Sequence, residues 1–139
     1  MAISQAMCSS FKSEVLGGIH DLDTDTIKIA LYTSAATLGA ATTAYSATNE
    51  VSGTGYTAGG NTLTGAAISL DGTTAIVDFA DTTWPAATIT ARGALIYNSS
   101  KANRAIAVLD FGSDKTSTNG DFSVQFPSAT ASTAIVRLA

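Results

Sequence analysis

The chain has 139 residues, of which 25 are Ala, 21 Thr, 15 Ser and 12 Gly, so four small residues make up more than half of it. Charged residues are 13%, against about 25% in an ordinary soluble domain, and 7 basic against 11 acidic side chains leave a formal charge of −4. Seven scattered Lys and Arg cannot make the basic stripe that phosphate binding needs, so nucleic acid is not an expected partner. No apolar run approaches the ~18 residues of a membrane span. The opening MAISQAMCSS lacks the basic and long apolar parts of a secretory signal. A single cysteine, Cys8, rules out an intrachain disulfide framework and fits synthesis in a reducing cytoplasm. The hydrophobic content of 45% opposes disorder. One domain covering residues 1–139 is expected, large enough to bury its own core.

The predicted elements begin with an amphipathic helix over about residues 3–16. Ile3, Met7, Phe11 and Val15 recur every four positions, Ser4 is a candidate cap, and Gly17-Gly18 supplies a stop. The period then changes to two. Ile27, Ile29 and Leu31 share one face of a strand over Thr26–Tyr32. Residues 34–60 form a long Ala/Thr/Gly stretch without a sustained period, which in a compact domain usually marks function or an interface. Further strands are expected at Leu63–Leu70, Thr74–Phe79, Ile89–Tyr97, Ala105–Phe111, Phe122–Phe126 and Ala134–Leu138. Asp71-Gly72 marks a hairpin between two of them, while Asn98–Asn103 and Ser113–Gly120 read as polar turns. The predicted fold is mainly β: an antiparallel sandwich or barrel-like domain over about residues 26–138, with one N-terminal helix.

Candidate chemistry is thin. His20, the lone histidine, follows the helix end and is expected at the surface or as a local cap; Cys8 is expected to pack as a small hydrophobe. Asp21, Asp23 and Asp25 have the opening spacing of a calcium loop, but Thr26 and Tyr32 stand where its glycine and bidentate glutamate belong. These aspartates are expected to form a polar connection, with cation binding left open. Asp78 and Asp81 are an odd number of residues apart and point to opposite faces of a strand, so they fail as a glycosidase pair. The glycines of Gly53-Thr-Gly55-Tyr56-Thr-Ala-Gly59-Gly60 lack Walker spacing and are expected to allow close backbone approach. Asn98-Ser99-Ser100 fits the glycosylation pattern, which carries no weight without a secretory signal. Trp84, before Pro85, either covers one end of the core or anchors a partner. The chain is not expected to be an enzyme, and no cofactor or metal is assigned.

Several segments are familiar in their order. Ile27-Lys-Ile-Ala-Leu-Tyr-Thr33 is followed by Asn49-Glu50-Val51 and the glycine-rich run at 53–60. Asp81-Thr-Thr-Trp84, Ala91-Arg-Gly-Ala-Leu-Ile-Tyr-Asn98 and Ala105-Ile-Ala-Val-Leu-Asp-Phe-Gly112 complete the set. From about Phe11 to Leu138 the chain resembles small structural proteins of tailed bacteriophages, some of which are cement or decoration proteins of the head. The resemblance implies a virion component on the capsid surface, made in the host cytoplasm. Its implied partners are the major capsid protein and copies of itself, as a trimer or dimer. It supplies no catalytic residue. The low charge points independently to assembly, since a free surface usually carries about 25–35% charged residues. Tyr45, Tyr56 and Trp84 are the candidate interface residues, as aromatic anchors on or near the long loop. A tail or fibre protein is the second reading. A carbohydrate-binding module is the third, stacking sugar on Trp84 and a tyrosine beside Asp81.

Overall fold

The alternating Ile27–Tyr32 segment forms strand β2, with Ile27, Ile29 and Leu31 buried on one face. Burying each such side chain contributes about 1.5–3 kcal/mol, which makes this short run a strong organiser. In the computed structural model, which describes residues 2–138, β2 lies within a five-stranded antiparallel sheet. The order is β1 (Ala6–Met7), β7 (Arg104–Val124), β6 (Thr82–Asn98), β2 and β3 (Asn61–Thr62). A second antiparallel sheet holds β4 (Ala67–Asp71), β5 (Thr74–Asp78) and β8 (Val136–Leu138). Helix α1 (Ser9–Leu16) is the single helix among the described residues and lies against β7. The core draws Ile29 and Leu31 from β2, Leu95 from β6, Ile106 and Val108 from β7, and Val77 and Val136 from the second sheet. The architecture is therefore mainly β and sandwich-like, with open sheets and no closed barrel.

The helix is shorter than its apolar period predicts. Residues 3–7 are extended: Ile3 bridges Leu38, while Ala6 and Met7 pair with Val108 and Ala107. Helix propensities differ by less than about 0.7 kcal/mol per residue, so tertiary pairing to the edge of β7 decides the conformation. Cys8, not Ser4, occupies the N-cap, and it makes no side-chain capping bond. The C-terminus follows the glycine signal. Ile19 N–H donates to Glu14 C=O and Gly18 N–H to Val15 C=O, with Gly18 at φ +74°, a Schellman arrangement.

The hairpin predicted at Asp71-Gly72 joins β4 to β5, with Asp71 opposite Thr74 and Gly72 at φ +63°. Of the expected strand at Leu63–Leu70 only Ala67–Leu70 is strand, within β4; residues 63–66 are the connection from β3, which belongs to the other sheet. The largest departure is in β6 and β7. They run as one long ribbon, and the expected turn at Ser113–Gly120 lies inside β7, paired with Ala87–Ala91 of β6. Those residues are polar because this half of β7 is mostly exposed along the edge of the sheet, where polar residues blunt unwanted pairing. Trp84 and Pro85 also lie within β6. Pro85 falls where the register shifts between Trp84 and Ala87, a bulge that tolerates its missing N–H.

Candidate interaction surface

Residues 33–60 have little repeating secondary structure, yet they are pinned along their length. Leu38 N–H donates to Ala2 C=O, Tyr45 N–H to Asn103 C=O, Val51 N–H to Leu31 C=O, and Thr88 N–H to Thr54 C=O. The glycines permit this close approach. A Cβ on Gly60, at φ +78°, would overlap the carbonyl oxygen of Ile29, and one on Gly55 would sit 2.7 Å from Ala87 Cα. The run at 53–60 is thus a contact strip against β2 and β6.

Glu50 is the hub of this loop. One carboxylate oxygen accepts the Tyr45 hydroxyl at 2.6 Å. The other accepts the Tyr56 hydroxyl and, at 2.8 Å, Gly59 N–H. Tyr56 oxygen in turn accepts Leu31 N–H at 2.9 Å. Tyr97 donates to Gly59 C=O at 2.7 Å and Tyr32 to Ser46 C=O at 2.6 Å, so all four tyrosines of the chain tie the loop to the sheet. Burial, with Glu50 adding to it, raises all four phenols above their ordinary value; Tyr97 is pushed up to about 12. Neutral hydroxyl donors beside a carboxylate are the stable arrangement here.

The three rings singled out from sequence are joined to this scaffold. Tyr45 stacks on Tyr97 with centroids 4.7 Å apart, and Tyr56 lies 5.9 Å from Trp84. Trp84, 2% exposed, also meets Phe122 edge-on. The indole therefore fills the core under the loop, and Tyr45 and Tyr56 are half-buried with their hydroxyls turned inward to Glu50. Glu50 was not singled out by its chemistry. The available signal is a lone glutamate in a Thr/Gly-rich stretch, flanked five residues before and six after by tyrosines.

A second polar group was equally hidden. The His20 side chain is fully buried, not surface-facing, and lies 4.9 Å from the Phe11 ring. Its Nε2 meets Glu14 at 2.9 Å, and its Nδ1 meets the amide nitrogen of Asn98 at 3.0 Å. Asn98, 0% exposed, donates to Asp25 at 2.8 Å as well, and its oxygen accepts Ser100 N–H. Arg104 on Glu14 and Lys101 near Asp25 extend the chain of groups at both ends. Burial raises the Asp25 carboxyl, but hydrogen bonds from Asn98 and Asp21 N–H and the charge of Lys101 bring it below its usual value. Asn98 is wholly engaged inside the fold, so its glycosylation pattern marks no exposed acceptor.

Asp21 accepts the N–H groups of Asp23 and Thr24, so the acidic run closes its own turn. No group of three His, Cys, Asp or Glu side chains suited to a metal ion occurs among the described residues. Asp71 and Asp81 likewise accept backbone N–H groups, from Ala131 and Phe126. Asp110 accepts Gly112 N–H, its largest stabiliser, and pairs with Arg92 at 3.2 Å; both hold its carboxyl low against burial. Cys8 is fully buried, and burial with the nearby Glu14 carboxylate pushes its thiol up to about 11.

Small neutral residues dominate the outer face of the loop, while the exposed half of β7 mixes Thr and Ser with Asp114, Lys115 and Asp121. Ala35, Ala40, Ala41, Thr43 and Ala44 are exposed on the loop, around an open hollow of about 780 Å³. On the ribbon, the exposed Thr90 and Thr116 hydroxyls pair across strands at 2.9 Å, and those of Thr83 and Ser123 at 2.8 Å. No helix among the described residues is long and apolar enough to cross a membrane. The chain matches no protein family, no curated protein and no solved structure.

Proposed function

We propose that the chain is a virion structural protein that decorates the outside of an assembled phage head and stabilises it across capsomer boundaries. The observation that carries this reading is the pinned, nearly uncharged exterior of residues 33–60, whose one charged residue, Glu50, is turned to internal donors. A surface of Ala, Thr, Ser and Gly is desolvated at little electrostatic cost. Because the tyrosine–Glu50 scaffold holds it in one shape, little conformational entropy is lost on docking. The ordered resemblance of its segments to phage structural proteins supports the same reading. In this proposal the partner is the major capsid protein, and the role is assembly, not catalysis. Binding only to the assembled shell stabilises that state by mass action.

Mixing the purified protein with undecorated heads and with tails, followed by electron microscopy, tests the assignment. Regular added density on heads is the expected result. Density confined to tails would transfer the protein to the tail, the second reading. The sugar-binding reading requires an exposed Trp84 ring as its stacking platform, and burial of that ring argues against it.

A further inference from the structure

We infer that the open edge of β4 is a pairing edge for a second copy of this chain, joined antiparallel about Ser69. All five residues of β4 are exposed, and among the described residues the strand pairs with β5 on one side and with nothing on the other. Ile68 is 54% and Leu70 73% exposed, although both lie in core-side rows of the small sheet: Ile68 is opposite Val77, which is opposite Val136. Leu70 is opposite Ala75, which is opposite Leu138, itself 39% exposed. Unprotected apolar edges recruit another strand, and natural proteins usually blunt them with charge. Here the one charge is Asp71 at the end of the strand, and it is turned to Ala131 N–H.

The segment is self-complementary, as a twofold contact requires. Centred on Ser69, antiparallel pairing sets Ile68 opposite Leu70 and Ala67 opposite Asp71 in both copies. The rows then continue across the junction: Leu138, Ala75 and Leu70 of one copy meet Ile68, Val77 and Val136 of the other. Charge selects this direction. Antiparallel pairing holds the two Asp71 residues about 13 Å apart, beyond the ~8–10 Å reach of exposed charges in salt. An in-register parallel pair would place them about 4.8 Å apart. The inference does not depend on head binding and holds for the free protein.

Sedimentation velocity over a wide concentration range, with the full chain, tests it. A reversible dimer is expected, and Leu70→Lys should raise its dissociation constant at least about tenfold. Leu70 is exposed in the single copy, so unchanged circular dichroism and melting are expected to certify that the variant is folded. Leu16→Lys, on an exposed residue at the end of α1, should leave the dimer intact. Ser69→Cys supplies the geometric readout. Facing antiparallel residues have Cα atoms ~4.5–5.5 Å apart, within disulfide range, so copper-catalysed air oxidation should give a covalent dimer. Thr73→Cys, in the hairpin turn, should not. A monomer at every concentration would overturn the inference. So would a dimer insensitive to Leu70→Lys, cross-linking through residue 73 in place of 69, or open-ended filaments.

Discussion

The side-chain amide of Asn98 donates to Nδ1 of His20 across 3.0 Å, and this direction leaves the histidine's proton on Nε2, facing Glu14. Reversing the amide would set its oxygen against Asp25 and its nitrogen against Ser100 N–H, so the network has one consistent polarity. Asn98→Ala should therefore lower stability by about 2–3 kcal/mol, since it strips partners from buried polar groups. Urea denaturation measures the loss. Nitrogen NMR of the imidazole should find the proton on Nε2 in the native protein; a proton on Nδ1 would refute the stated polarity.

Tyr56→Phe removes the acceptor of Leu31 N–H and one donor to Glu50. A cost of about 1–3 kcal/mol is expected. Hydrogen exchange separates this local effect from general weakening. The Leu31 amide should lose more protection than amides in the paired centre of β6 and β7. Equal losses throughout would show that the hydroxyl is not what shields it.

The pH limits follow from the directions of the shifts. Phenols ordinarily titrate near 10.0 and are raised in the fold, to about 12 for Tyr97. The unfolded chain therefore releases these protons first. Their contribution is complete below pH ~10 and is lost as pH rises through the folded-state values. Tyrosinate absorbance should accordingly develop together with unfolding and not ahead of it. On the acid side, Asp25 is held below its ordinary 3.8. Its contribution is present above that pH and disappears as pH falls through the lower folded-state value, and Asn98→Ala should reduce that acid dependence.

Two glycine substitutions separate conformational strain from overlap. At Gly72, φ is +63° and a Cβ would meet nothing within 4 Å, so Gly72→Ala should cost only about 1–2 kcal/mol. At Gly60 the same change also drives Cβ into the Ile29 backbone, so its cost should exceed that of Gly72→Ala by several kcal/mol. Parallel thermal melts of the two variants give the comparison.

Local signals read well where local chemistry decides. The period-two run at Ile27–Tyr32, the glycines after Leu16 and the Asp71-Gly72 turn all have direct counterparts in the fold. Signals failed where a distant partner overrides them. Ala6 and Met7 sit in a helical pattern but pair with β7, and the Ser113–Gly120 stretch has turn composition because it is an exposed strand edge. The candidate surface was legible as a stretch, residues 34–60, but not in its wiring. His20 and Asn98 acquire their roles from partners more than seventy residues apart. Glu50 has its partners nearby in the same loop, but their spacing fits no regular element and could not show the aromatic rings turning inward. Trp84 illustrates the same limit: its size signals an anchor, and its register in β6 makes that anchor internal.

The two-residue strand at Ala6–Met7 has a consequence for how the molecule reaches its native state. Its pairing to β7, together with the Asp110 N–H bond to the Gln5 side chain across 105 of the chain's 139 positions, closes most of the chain into a loop. Contacts of such separation slow folding relative to local ones. During synthesis the first strand cannot dock until Val108 has left the ribosome, so α1, tethered directly behind it, must wait for most of the chain before it gains its cover.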